Sequence, residues 1–372
     1  MQFIDLKAQY QRLKSDINAG ITNVLNHGQY IMGSEVAELE KELSSFVGVK
    51  HSITCANGTD ALQMLYMAYG IGSGDAVFCP DVTFIATIEP ACMLGSTPVF
   101  CDIDMRTFNL CPISLEKQIK AVLAEGKLTP KAVVPVDLLG NPADYTAIQE
   151  ICQRYNLILI ADAAQSMGAT YRGQACGSLG ESATTSFFPA KPLGCYGDGG
   201  AIFTNDDTIA DICRSLRVHG KGAKGKYHNA RIGLNSRLDT LQAAILLPKL
   251  KALREYEIAT RQEVAIRYNT AFANRFTHQH IVQGSTSVYA QYVLLAENEA
   301  LRNATVEKLQ NANIPTMIYY PAPLHTLEVF QDVNHYDEVF TNALSYCNRT
   351  FSLPMHPYLT EKEQVQIAEA IL

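Results

Sequence analysis

A single lysine, Lys191, stands between Pro189 and Pro192 in the stretch FFPAKPLGCYGDGGA, with Gly194, Gly197, Gly199 and Gly200 close behind. A lysine fixed on a loop and stripped of water can attack a carbonyl carbon, which is the chemistry of Schiff-base enzymes. The competing reading is a solvated loop lysine, since Pro and Gly punctuate ordinary loops. Two further stretches bear on the choice. LILIADAAQS carries Asp162 at the end of a run too apolar for a surface strand. Its carboxylate then sits at the carboxyl edge of a sheet, either as a functional acid or as a cap for the next turn or helix. CANGTDALQMLYMA reads as a strand, a turn at Gly58 and a helix from about Thr59. Free N–H groups and the helix dipole there favour phosphate, although a plain cap by Asn57 or Thr59 fits the same letters.

Taken together, the three stretches make a set with a definite use. Pyridoxal phosphate needs a lysine for its Schiff base, an acid for its pyridinium nitrogen and donors for its phosphate. A rival glycine cluster, YGIGSGDAVF, leads into a strand, whereas a dinucleotide-binding glycine motif needs a helix after it. It reads as a turn.

The elements that must position these residues follow an alternating order. The β-rich runs are HSITCA, DAVFCP, TPVFCDID, AVVPVDLL, LILIADAA, ATTSFFP and GAIFTND, with helix-like stretches such as PISLEKQIKAVL and DTIADICRSLR between several of them. Alternation with apolar strands predicts an α/β fold, a mostly parallel sheet with helices on both faces. Ligands of such sheets bind at the carboxyl ends of the strands. After NSRLDTLQAAILLPKLKALREYEIATRQEVAIRY, a strong helical pattern that Pro248 should kink or bound, the order changes. Strand runs SVYAQYVLL and PTMIYY flank the helix TVEKLQNAN, and two helices close the chain, the last opening with a Thr360–Glu363 capping box. The division expected is a large α/β domain over 1–245, with an N-terminal helical segment, and a smaller α+β domain over 246–372.

Composition narrows the class. The net charge of −7 and the lack of basic runs argue against nucleic acid as a partner. No segment approaches the roughly 18 apolar residues of a membrane helix. Ten scattered cysteines without a C-x-x-C pair suggest reduced thiols, a cytoplasmic location and no zinc site.

Over nearly its full length the chain resembles the DegT/DnrJ/EryC1/StrS family of nucleotide-sugar aminotransferases. The matching stretches are FIDLKAQY, GQYIMGSEV, CANGTDAL, DVTFIATIE, PVDLLGNPAD, ADAAQSMGA, SFFPAKPLGCYGDGGAIFTND and GLNSRLDTLQAAIL. The resemblance implies the aspartate-aminotransferase fold (fold type I) and pyridoxal 5'-phosphate as cofactor. It implies that Lys191 forms the Schiff base and that Asp162 pairs with the pyridinium nitrogen. Gln165, one helical turn beyond Asp162, would approach the phenolic oxygen, and Phe84 would stack on the ring, with a core aromatic as its other reading. Gly58, Thr59 and Ser186 would hold the phosphate. Asn235 would reach it from a second subunit, making a homodimer, although a helix N-cap also suits it. In this picture the prolines fix the lysine loop and the glycines let backbone approach the cofactor.

Within the family, the runs FFPAKPLGCYGDGGAIFTNDD, NSRLDTLQAAILLPKL and LPMHPYL are most similar to enzymes that aminate carbon 3 of UDP-2-acetamido-2-deoxy-3-oxo-glucuronate for lipopolysaccharide sugars. L-glutamate would be the amino donor, and carbon-4 amination of a UDP-4-keto-6-deoxy-hexose is the alternative. Arg237 is the candidate partner for a uronate carboxylate. Tyr319 and Tyr320 are expected at the sugar, with Tyr319 standing where His is expected in the carbon-3 enzymes. His219, His228 and the stretch GKGAKGKYH suggest a basic loop able to touch a diphosphate. A cysteine desulfurase, using Cys195 as a mobile thiol, is a reading from another class.

Overall fold

The computed structural model describes residues 1–225 and 227–372. The seven apolar runs form one sheet: β1 (His51–Cys55), β2 (Asp75–Pro80), β3 (Thr97–Cys101), β4 (Thr129–Val133), β5 (Ile158–Asp162), β6 (Ser182–Ser186) and β7 (Gly200–Thr204). Their order across the sheet is β1-β7-β6-β5-β4-β2-β3. All are parallel except β7, which runs against both neighbours. Successive residues bury on opposite faces: Val133, Leu159 and Ala161 enter one core, while Ala132, Val134 and Ile160 enter the other. Burial on both faces is why these strands read as unbroken apolar runs.

Register sets the site. β7 begins at Gly200, which pairs with Cys55 of β1 on one side and Ser186 of β6 on the other. Asp162 pairs with Thr184, two residues before Ser186. The carboxyl ends of β1, β6 and β5 are thereby brought level at one edge.

The long helical pattern folds as the helix Thr240–Ala252, a π-helical turn Leu253–Glu257 and the helix Ile258–Phe272. Pro248 lies inside the first of these and does not end it. Proline frees the carbonyl four residues earlier, that of Ala244. Gly20 of the helix Leu6–His27 packs there, so close that a Cβ would lie 3.0 Å from the Ala244 oxygen. The expected division at 245/246 falls within this helix. Leu246, Leu250 and Leu253 belong to the large core, and Val264, Tyr268 and Phe272 to a separate C-terminal core, so the change of core spans the π-helical turn.

The C-terminal sheet has three antiparallel strands, Thr277–His278, Tyr292–Leu295 and Thr350–Leu353. PTMIYY, expected as a strand, makes only the bridge from Met317 to Ser352. Pro315 has no N–H, and Tyr319 and Tyr320 turn away to line a cavity. The Thr360–Glu363 capping box is present.

Candidate active site

A cavity of about 450 Å³ opens at the level carboxyl ends of the strands. It is lined by Gly58, Thr59, Phe84, Asp162, Gln165, Ser186, Lys191, Tyr319 and Tyr320, so nine of the eleven residues expected at the site meet there.

Asp162 ends β5 with its backbone bonded on both sides, N–H to Pro135 O at 2.9 Å and C=O from Asp137 N at 3.1 Å. The residue is 5% exposed. Oδ2 accepts from Thr87 Oγ1 at 2.8 Å and Oδ1 from Ala164 N at 3.1 Å. Because Thr87 gives its hydrogen to the carboxylate, Thr83, 2.9 Å away, donates to Thr87. Burial pushes the Asp162 carboxyl above its usual range against these hydrogen bonds and the nearby Lys191 charge. Burial likewise lowers the Lys191 amine, with Asp162 opposing. An acid and an amine that each resist ionisation suit a site that receives a further cationic group. A reactive amine needs the same lowering.

The element expected to bind phosphate is built by close backbone contact. Asn57 caps the helix Gly58–Ala68, its Oδ1 accepting from Asp60 N at 2.7 Å. Among the described residues, the amides of Gly58 and Thr59 have no protein acceptor and face the cavity end of the helix. A Cβ on Gly58 would lie 2.9 Å from Ser186 Cβ, so only glycine lets the helix start beside Ser186. Amide donors, a hydroxyl and a helix N-terminus suit a phosphate dianion.

The glycines after Lys191 do other work than expected, and none lines the cavity. A Cβ on Gly200 would lie 2.5 Å from Asn57 C and O, and one on Gly194 would lie 2.4 Å from Pro189 O. They let the chain press against itself behind the site. Beyond Asp162 the chain makes turns where a helical turn is expected. Gln165 there accepts from Leu139 N at 2.7 Å and lies 3.4 Å from the Tyr320 hydroxyl. Phe84 is 56% exposed at the cavity, 6.3 Å from the Tyr320 ring, which excludes a core role.

Asn235 and Arg237 do not line this cavity. Arg237 Nη2 donates to Asn235 Oδ1 at 2.6 Å on the exterior. Asn235 is not a helix cap, since Asp239 holds the N-cap position of the following helix. His219 and His228 sit in a surface hairpin, where Asn229 Nδ2 donates to His219 O and His228 Nδ1 accepts from Lys224 N. Lys226 of GKGAKGKYH lies outside the described residues. Cys195 is buried, its thiol raised to about 11 by burial and directed at Phe187 O and Gly197 O. It is not the mobile thiol a desulfurase needs.

Sequence reasoning missed Thr87, the donor to Asp162, as well as Gln291, Phe188 and Asp198 in the lining. Thr87 follows Phe84 by three residues in TFIAT, a spacing that returns to the same side of a short helix.

This chain belongs to the DegT/DnrJ/EryC1/StrS aminotransferase family, whose model matches residues 11–372. It is a sugar aminotransferase, and pyridoxal phosphate is its cofactor. It is 48% identical, over 96% of both chains, to the UDP-2-acetamido-2-deoxy-3-oxo-D-glucuronate aminotransferase of Pseudomonas aeruginosa. A family aminotransferase from Brucella abortus superposes with a TM-score of 0.97 at 47% identity, covering 100% of this chain and 98% of that one. DesV of S. venezuelae, solved in complex with a ketimine intermediate, gives 0.92 at 32% identity, covering 100% and 97%.

Proposed function

We propose that the protein transfers an amino group from L-glutamate to carbon 3 of UDP-2-acetamido-2-deoxy-3-oxo-glucuronate, a step toward a lipopolysaccharide or O-antigen sugar. The observation that carries the substrate is the 48% identity to the Pseudomonas aeruginosa enzyme along 96% of both chains. Ten free cysteines agree with a reducing, cytoplasmic setting, and no helix among the described residues is long and apolar enough to cross a membrane.

In this reading Gly58, Thr59 and Ser186 would bind the cofactor phosphate, and Asp162, which accepts from Thr87 and Ala164 N, would pair with the ring nitrogen. Phe84 would lie against the cofactor ring, and Gln165 would serve its phenolic oxygen. When bound, pyridoxal phosphate supplies the electron sink and carries the amino group between the two substrates. Lys191 Nζ would hold the cofactor and, as a free amine, would move a proton from one carbon to another. Tyr319 and Tyr320 contact the sugar. Asn235 and Arg237, joined to each other outside their own cavity, reach a second copy's site, Asn235 at the phosphate and Arg237 at the uronate carboxylate. The active unit is therefore a homodimer.

A single-turnover experiment tests this. The enzyme is converted to its pyridoxamine form with L-glutamate, freed of amino acid, and mixed with the 3-oxo-glucuronate nucleotide. Rapid recovery of the pyridoxal absorbance is expected, and Lys191→Ala should block it. Conversion by glutamate with no recovery from this sugar, but recovery from a UDP-4-keto-6-deoxy-hexose, would overturn the carbon-3 assignment and leave the class intact.

A further inference from the structure

Behind the lysine loop, on the side away from the cavity, lies a second lysine. Lys249 is 1% exposed, in the buried face of the helix Thr240–Ala252. Its Nζ donates to Gly194 O and stands 4.8 Å from the centroid of the Tyr196 ring. Among the described residues it has no salt-bridge partner. Glu257, the acid whose charge reaches it, forms no salt bridge with it; its Oε1 accepts from Gln9 Nε2 at 2.8 Å and the Tyr358 hydroxyl at 2.6 Å, while its Oε2 is buried without a hydrogen bond. Burying an ammonium with no carboxylate in salt-bridge contact is costly, and a methionine would fill the same volume without that cost. The amine therefore has a use at this point, and the group it holds is Gly194 O.

The same helix grips the loop a second time. Gln242, two turns earlier on the same face, accepts from Tyr196 N at 2.9 Å and donates to Tyr196 O at 3.3 Å. Between Phe187 and Cys195 the loop is closed on itself. Lys191 N donates to Phe188 O at 2.8 Å, Cys195 N to Phe187 O at 2.8 Å, and Phe187 N to Gly199 O at 2.7 Å. Gly194 is pressed onto Pro189 O, so tightly that no Cβ fits. A unit this compact moves as one body, and a shift at Gly194 is carried to Lys191 three residues away.

We propose that Lys249 is a positioning residue for Lys191: with Gln242 it clamps Gly194–Tyr196 to the helix Thr240–Ala252 and so sets the height at which the Lys191 amine enters the cavity. Burial lowers the Lys249 amine to about 8, which leaves it mostly charged near neutral pH and able to hold a carbonyl strongly. The assignment rests on Lys191 being the residue that bonds to the cofactor, and the test separates the two ideas.

The affinities of the purified apoenzyme for pyridoxal phosphate and for pyridoxamine phosphate are measured by equilibrium titration. The aldehyde form bonds to Lys191, and the amine form does not. Lys249→Met keeps the volume and removes the clamp. It should weaken pyridoxal phosphate by roughly tenfold, as loss of a charge-assisted hydrogen bond implies, and leave pyridoxamine phosphate unchanged. Lys249→Arg should recover part of the loss. If Lys249→Met does not fold, Gln242→Leu carries the same expectation. Equal weakening of both forms, or of neither, overturns the proposal and makes Lys249 a matter of core stability. Lys191→Ala is the control. It should abolish any difference that depends on the covalent bond, and if it leaves the two affinities at wild-type values, the reading of Lys191 fails first.

Discussion

Replacing Thr87 by valine exchanges a hydroxyl for a methyl group and changes the volume very little. In the wild type, Thr87 Oγ1 donates to Asp162 Oδ2 at 2.8 Å in a place with little access to water. A hydrogen bond to a charged group contributes about 1.5–3 kcal/mol. Its loss adds to the burial that already raises the carboxyl, so Asp162 becomes a poorer partner for a protonated ring nitrogen. The same energy corresponds to about 10- to 150-fold weaker binding of pyridoxamine phosphate. The helical turn itself should survive, because it is held by the Tyr66 hydroxyl on the Thr87 carbonyl, which valine retains. Titration of the apoenzyme with pyridoxamine phosphate measures the loss, and titration with inorganic phosphate, directed at Gly58 and Thr59, supplies a control that should not change. Thr87→Ser should restore most of the affinity. Wild-type affinity in Thr87→Val, or an equal loss for inorganic phosphate, would refute the reasoning.

Three further outcomes follow from the geometry. Gly200→Ala places a Cβ against the backbone of Asn57, which cannot yield as a side chain would, and should destabilise the fold by about 1–3 kcal/mol in denaturant titration; an unchanged midpoint would contradict the close approach. Iodoacetamide near neutral pH should leave the glutamate half-reaction intact, since the Cys195 thiol is raised to about 11, and loss of turnover that tracks labelling of Cys195 would reverse that view. Burial, reinforced by the Arg261 charge, lowers His356 from 6.5 to about 4. Between those values the unfolded chain binds the extra proton, so stability falls as pH drops through the window, by about 3 kcal/mol from this group. His356→Leu should therefore gain on the wild type as pH goes from 6.5 to 4 in urea melts, and a constant difference would show that His356 does not titrate as stated.

Asp162 and Lys191 were legible because each lies at or just beyond a strand whose apolar run is unmistakable, and because strand ends at one edge of such a sheet meet. Gly58 was legible for the same reason. Thr87 and Lys249 were not, since their partners lie 75 and 55 residues away in the chain and depend on packing that no local pattern records. The glycines after Lys191 were seen, but their purpose was misread. Flexibility is a property of the residue alone, whereas the pressure of Asn57 on Gly200 exists only in the folded sheet. Pro248 did not mark a boundary because a helix supported along its length tolerates a missing N–H, and PTMIYY was overread as a strand because its apolar letters line a cavity as well as they would a strand.

The reversal of β7 bears on how an enzyme of this shape can diversify. Because β7 returns beside β6, the segment carrying Lys191 is a hairpin connection stitched at both feet by the Ser186–Gly200 pair. Lengthening or shortening it would shear the register that also seats Gly58, so natural variation has little room there. Phe84 and the Tyr319–Tyr320 pair enter the same cavity from segments outside this hairpin. Mutational drift can rework those walls and recruit new acceptors while the amine and its acid stay where they are.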